Sequence, residues 1–219
     1  MKRISIYIIN TVLLIVFGIT SCAKTTKGKM INEWKITSFE NSETYVSTLG
    51  DKHTSIYSMT DQTVTDKTVL EPASGPSSTS SETGTVNKHE LAIKKDGTWS
   101  WTIDVTFVDG NKTNNETMIR SGTWSFIGQT KGDDFKKNER VLFNVLEMTT
   151  RETETVDQSV TYDETGKETY STGQTTMVYT VTESKNKKLE MELESKKASS
   201  HDTNTSSLSV SQKIVLEAK

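Results

Sequence analysis

Apolar and polar residues alternate along much of the chain beyond residue 30. The clearest run is Trp99, Trp101, Ile103, Val105 and Phe107, interleaved with Ser100, Thr102, Asp104 and Thr106. A period of two places alternate side chains on opposite faces of a β-strand, here one apolar and one wet. The run ends at Val108-Asp109-Gly110-Asn111, whose Asp-Gly pair suits a tight hairpin turn, and a more polar return strand follows through Arg120. Trp34 and Ile36 mark a strand within Ile31 to Phe39, and Leu91 and Ile93 precede a turn at Lys95-Asp96-Gly97. Trp124 and Phe126 alternate after Gly122. Val141, Phe143 and Val145 face away from Leu142 and Leu146. Met177, Tyr179 and Val181 lead through Lys185-Asn186-Lys187 to Leu189, Met191 and Leu193, and Leu208, Val210, Ile214 and Leu216 share one face of the last run.

Three polar stretches interrupt the pattern. Glu71 to Gly84 holds both prolines and a Ser/Thr run, which predicts a loop, and Gly128 to Glu139 and Lys196 to Ser207 read the same way. A short helix fits Asp133 to Asn138. From Thr149 to Thr176 the alternation continues with Thr, Glu and Tyr in place of core residues, predicting a long hairpin around Asp163-Glu164-Thr165-Gly166, wet on both faces and projecting from the sheet. The expected fold is all-β: an antiparallel up-and-down meander of about eight to ten strands, which removes its exposed edges by closing into a barrel.

Composition supports a β protein and narrows its function. Thr (36) and Ser (25) are abundant, and hydrophobic residues make up only 32% of 219 positions. Four Trp, six Tyr and six Phe speak against disorder. A net charge of −3 and a pI near 5.7 lack the basic field that nucleic acid requires, so no nucleic-acid partner is expected.

The first 21 residues set an address. Lys2 and Arg3 precede an apolar run from Ile4 to Ile19, which is short for a membrane span and is shaped like a secretory signal peptide. It ends Ile19-Thr20-Ser21-Cys22, and Cys22 is the chain's one cysteine. That quartet resembles the lipobox of bacterial lipoproteins: a branched apolar residue, two small residues and a cysteine. The resemblance implies cleavage before Cys22, a thioether to diacylglycerol on its sulfur and an acylated amino terminus, so that acyl chains make the membrane contact. An ordinary signal peptide, or a short signal anchor, with a coincidental cysteine is the competing reading. Residues 22–29 then form a basic, polar tether, and residues 30–219 a single barrel domain carrying the hairpin at 149–176. Loss of Lys2 and Arg3 leaves 24 basic residues against 29 acidic ones in the mature chain. The basic tether lacks the acidic residues that follow the cysteine in surface-displayed lipoproteins of Bacteroidota, which favours an outer-membrane site facing the periplasm.

An internal echo connects the two halves of this reading. Gly97-Thr98-Trp99-Ser100 recurs as Gly122-Thr123-Trp124-Ser125, and Trp34 stands near the start of the folded part. With the lipobox, this pattern resembles the lipocalin-like lipoproteins of Bacteroidota, although Asn32 stands where they carry a glycine. The resemblance implies a barrel of about eight strands whose interior can hold a small apolar ligand. Independently of family, each glycine would supply the positive φ that reverses the chain, and each tryptophan would close an end of the barrel. Trp34, Trp99, Trp101 and Trp124 are therefore candidates either to line a ligand pocket or to plug the barrel.

Catalytic chemistry is hard to assemble. His53, His89 and His201 lie far apart with no ligand-spaced neighbours, so no metal is expected from them. No serine sits in a Gly-x-Ser-x-Gly setting, and no phosphate-cradling glycine loop occurs. Glu190, Glu192 and Glu194 alternate with Leu189, Met191 and Leu193 as the solvated face of a strand, and Asp133-Asp134 lack further oxygen ligands for calcium. The expectation is a protein that is not an enzyme and needs no cofactor. Two functions stay open: a barrel binding a small apolar ligand, or a barrel filled by its own side chains that meets another envelope protein.

Overall fold

The computed structural model describes residues 25–128, 138–201 and 204–219, the side chains of 197–205 excepted. The chain folds as a closed antiparallel β-barrel with up-and-down topology. Its elements are a short helix α1 (Thr26–Met30) and strands β1 (Asn32–Val46), β2 (Lys52–Thr60), β3 (Thr63–Glu71), β4 (Ser78–Ile93), β5 (Thr98–Asp109), β6 (Lys112–Phe126), β7 (Glu139–Val156), β8 (Ser159–Thr169), β9 (Thr176–Ser184), β10 (Lys188–His201) and β11 (Asn204–Ala218).

The circuit has ten members because β8 and β9 behave as one interrupted strand. Both pair with β7, β8 along Glu147 to Val156 and β9 along Glu139 to Asn144. Between them, residues 170–175 loop out and rejoin the ladder through Tyr170 N donating to Leu146 O (2.9 Å) and Val145 N donating to Thr175 O (2.9 Å).

The two ends of the barrel differ. At one end β1 pairs directly with β4, through Asn32 to Lys35 opposite Ile93 to Glu90, so eight strands form the ring. Further along, β1 and β4 part and the β2–β3 hairpin enters between them. The ladders slip by one residue at the parting, leaving Thr37 extra on β1 and Asn87 extra on β4. Such bulges bend and twist a strand locally, which lets two neighbours diverge without losing their outer partners. The barrel therefore flares toward its second end. There, among the described residues, β8 pairs only with β7, and β10 beyond Glu192 pairs only with β11, so a seam runs between them down from the rim.

Packing follows the taper. The buried apolar residues form one cluster that includes Trp34, Ile36, Leu91, Ile93, Phe143, Tyr179, Leu189, Met191, Ile214 and Leu216. Helix α1 seals the narrow end. Thr25 Oγ1 caps it by accepting from Gly28 N (3.2 Å), Met30 is fully buried, and Trp34 Nε1 donates to the Met30 carbonyl (2.8 Å). Above the core, Tyr179 Oη donates to Gln212 Oε1 (2.5 Å) and Gln212 Nε2 donates to Asn41 Oδ1 (2.8 Å), a polar layer where the apolar filling ends.

Four expectations are corrected. The predicted loop from Glu71 to Gly84 is mostly strand: only 72–77, with both prolines, connects β3 to β4, and Thr79 to Thr85 pair with β3. Prolines between strands deny the ladder no donor. Residues 196–207 belong to the β10–β11 hairpin instead of a loop. The long hairpin turns at Asp157 and Gln158, both with positive φ (49° and 66°), and Asp163 to Gly166 lie within β8. It is no free projection either, since β6 pairs with β7 along its whole length. The predicted helix at Asp133 to Asn138 lies almost wholly outside the described residues.

Candidate functional site

The four tryptophans converge on the narrow half of the barrel, with exposures of 1% (Trp34), 2% (Trp99), 4% (Trp101) and 7% (Trp124). Trp99 Nε1 donates to Asn144 O (3.0 Å) and packs on Phe143 at 5.0 Å between ring centroids, while Trp124 Nε1 donates to Lys94 O (2.8 Å). Three of the four indoles thus fasten one segment to another through a backbone carbonyl. Trp101 differs: its Nε1 has no partner, and its ring lies 5.8 Å from that of His89 and 5.5 Å from that of Phe39. None of the four lines the cavity bounded by Tyr57, Ile103, Val105, Met118 and Glu116.

That cavity, about 450 Å³, lies in the flared half. Its apolar floor is Ile103 and Val105 from β5 and Met118 from β6, with Tyr57 of β2 beside them. Its wall is the inward face of the β6–β7–β8 strip, contributing Glu116, Thr150, Glu152, Tyr162, Glu164 and Gly166. The size lies in the range of small-molecule sites.

The register explains the wall. Glu116 stands directly opposite Glu152 across β6–β7, and Glu152 directly opposite Glu164 across β7–β8. The Asn114 side-chain amide donates to both Glu116 (3.1 Å) and Glu152 (3.3 Å), whereas its own Oδ1 is buried without a donor. Tyr162 Oη donates to Glu164. Asp66 faces Glu82 across β3–β4 nearby.

The nearest cations are engaged elsewhere. Lys112 pairs with Glu154 (2.6 Å), and Arg151, at the cavity edge, makes two hydrogen bonds to Asp163 (3.1 and 3.0 Å). Arg120, further down β6, is mostly buried and faces Tyr179, Tyr170 and Glu43. Glu116 is open to the mouth yet crowded by protein. Burial first, then the charges of Glu152, Glu82 and Asp66, hold its carboxyl above the usual glutamate range. Burial, followed by Glu116 and Asp66, pushes the Tyr57 hydroxyl well up, so it stays protonated.

The sequence placed Ile103 and Val105 on an apolar face but showed neither Met118 beside them nor the acidic wall. Leu146 is an extra residue on β7 opposite the Ser121–Gly122 step, so the inward phase passes from Val141, Phe143 and Val145 to Met148, Thr150 and Glu152. Strict alternation extended through that bulge assigns these side chains to the wrong face. The Glu-Thr alternation of 152–155 carried the signal, and only the bulge gives it a side.

His89 is the other unusual group. It is 4% exposed, sits edge-on to Phe39 at 5.6 Å, and neither ring nitrogen has a hydrogen-bond partner. It backs a smaller cavity of about 200 Å³ where β1 and β4 part, rimmed by the Lys35–Asp61 and Lys88–Glu90 ion pairs. His53 lies on β2 opposite Tyr45, and the His201 side chain is outside the described residues. Among the described residues no group of three His, Cys, Asp or Glu side chains could hold a metal ion, and no helix is long and apolar enough to cross a membrane. Cys22, the residues before it and Asp133-Asp134 lie outside the described residues. Compared with known proteins, the chain matches no family model, no curated protein and no solved structure.

Proposed function

We propose that this protein is a non-catalytic, lipid-anchored lipoprotein of the bacterial cell envelope whose lipocalin-like barrel binds a small ligand with a substantial apolar part. The observation that carries the reading is the 450 Å³ cavity with its floor of Ile103, Val105 and Met118. A barrel with no ligand to hold gains from filling its interior with side chains, as the narrow half does; in the flared half the apolar floor is left uncovered. The signal-like start and Cys22 support the anchor, which sets the domain on a short tether at the outer membrane, facing the periplasm. A second reading, a module that meets another envelope protein, draws on the seam: β8 and the outer part of β10 each present an edge without a strand partner among the described residues, which an extended segment could pair with.

N-phenyl-1-naphthylamine, a neutral apolar fluorophore, tests the cavity. Saturable enhancement with one site per chain is expected in the mature protein, and Met118→Trp should weaken it about tenfold or more by filling the floor. Absence of saturable binding, or identical binding by the filled variant, overturns the ligand reading. For the anchor, Cys22→Ser should abolish acyl labelling and release the protein from the membrane fraction. Retention of both refutes lipidation at Cys22.

A further inference from the structure

Resting on the reading of the flared cavity as a ligand site, we propose that its ligand is a cationic amphiphile: an amine or quaternary ammonium on an apolar body, its charge held by Glu116, Glu152 and Glu164. The carboxylates alone would mark nothing. What gives them meaning is their place in a cavity whose opposite side is apolar and whose wall also presents the rings of Tyr57 and Tyr162. Carboxylate oxygens and aromatic rings together are the surroundings that attract an ammonium group, through charge and through the ring quadrupole.

The row is costly without a counter-charge. Like charges directly opposite across a ladder oppose strand pairing, and here two successive ladders carry such a pair on one face. Among the described residues no cation is hydrogen-bonded to the row: Lys112 feels the charges of Glu152 and Glu82 but bonds Glu154, Arg151 is committed to Asp163, and Arg120 turns toward Tyr179, Tyr170 and Glu43. Hydrogen bonding is one-sided as well. The Asn114 amide is shared between two carboxylates, and its buried Oδ1 has no donor. The wall is rich in acceptors, and an alkylammonium supplies both the donors and the positive charge. An anionic lipid or fatty acid would meet repulsion at the same place, and a neutral one would leave the row uncompensated. A bare divalent cation is a poor fit, because no three His, Cys, Asp or Glu side chains among the described residues come close enough to ligate one metal ion, and the floor of Ile103, Val105 and Met118 would have nothing to hold.

The test holds the apolar part constant and varies the head: decylamine, decyltrimethylammonium, decanol and decanoate, below their aggregation concentrations, titrated calorimetrically into the mature protein. Expected are binding of the two cations at least about tenfold tighter than decanol and no measurable binding of decanoate. Raising salt from 20 to 500 mM should weaken the cations severalfold and leave decanol unchanged, since screening acts only on the charged head. The pair Glu116→Gln with Glu152→Gln removes the repulsion, so it is expected to fold, and it should bring decylamine to the affinity of decanol without altering decanol itself. Equal affinities for decylamine and decanol, or insensitivity of decylamine to both salt and the double variant, overturn the cationic assignment and leave the cavity standing as an apolar site. Tighter binding of decanoate overturns it outright. Failure of all four probes overturns the ligand reading together with it.

Discussion

His89 shows how a single side chain can link stability to pH. Burial among Phe39, Trp101 and the strands lowers its pKa from the ordinary 6.5 to about 4, with no hydrogen bond to oppose the shift. The unfolded chain therefore takes up a proton at higher pH than the folded barrel. Stability from this group is fully present above pH 6.5 and is lost as pH falls toward 4, by about 3 kcal/mol in all. The charged rim around it is paired, with Lys35, Lys88 and Asp61 exposed and Glu90 half-buried, which limits its share of the effect. In urea unfolding at pH 7 and pH 4.5, His89→Phe should lose markedly less stability on acidification than the wild type. Equal losses would assign the acid sensitivity to other groups. From the sequence, His89 could be dismissed as a metal ligand, but its burial depends on Phe39 and Trp101, which come from two other strands.

At the scale of elements, the repeated Gly-Thr-Trp conceals two different needs. Gly97 has a φ of 87° in the β4–β5 turn with no atom near its missing Cβ, as the sequence suggested. Gly122 is not among the residues of positive φ; it sits within β6 at the slipped register, where a Cβ would come 1.9 Å from Asn144 O. Gly97→Ala should cost about 1–2 kcal/mol through backbone strain. Gly122→Ala must move a backbone carbonyl of β7 and should cost about 3 kcal/mol or more, read as a lower urea midpoint. A Gly122→Ala cost no larger than that of Gly97→Ala would show that the bulge is soft. The strand segments around Trp34, Leu91, β5, Trp124, the first half of β7, β9 and the inner parts of β10 and β11 were legible because their apolar alternation is strong. Residues 40–71 were not read as strands, since β2 and β3 border the wet half of the barrel and few of their inward positions are apolar.

Taken whole, the barrel is two structures in series, a packed plug and a wet, acidic cup. If the cup holds a cation, its affinity has a predictable pH dependence. The carboxylates must be ionised to bind, and Glu116 is held above the usual glutamate range by burial and by its acidic neighbours Glu152, Glu82 and Asp66. Affinity for decylamine should be level from pH 8 to 7 and fall by about tenfold or more on going to pH 4, beginning at higher pH than an ordinary glutamate would dictate, while decanol binding stays constant. Acid-independent decylamine binding would remove the carboxylates from the site.

The sequence by itself determined the all-β class, the closing meander, the tight turns at Gly97, Gly110 and Lys185 to Lys187, and the inward faces carrying the tryptophans. Those properties follow from local chemistry: period-two alternation, positive-φ glycines and a scarcity of helix formers. Tertiary structure decided what the interior is. Single extra residues at Thr37, Asn87 and Leu146 shift the inward phase of three strands, and the β2–β3 hairpin widens one end from an eight-membered ring. A one-residue slip carries every later side chain to the other face, and its place is set by the partner strand rather than by the slipped one. Glu152 and Glu164, on a hairpin whose two faces both read as wet, thus join Glu116 as the wall of a cavity.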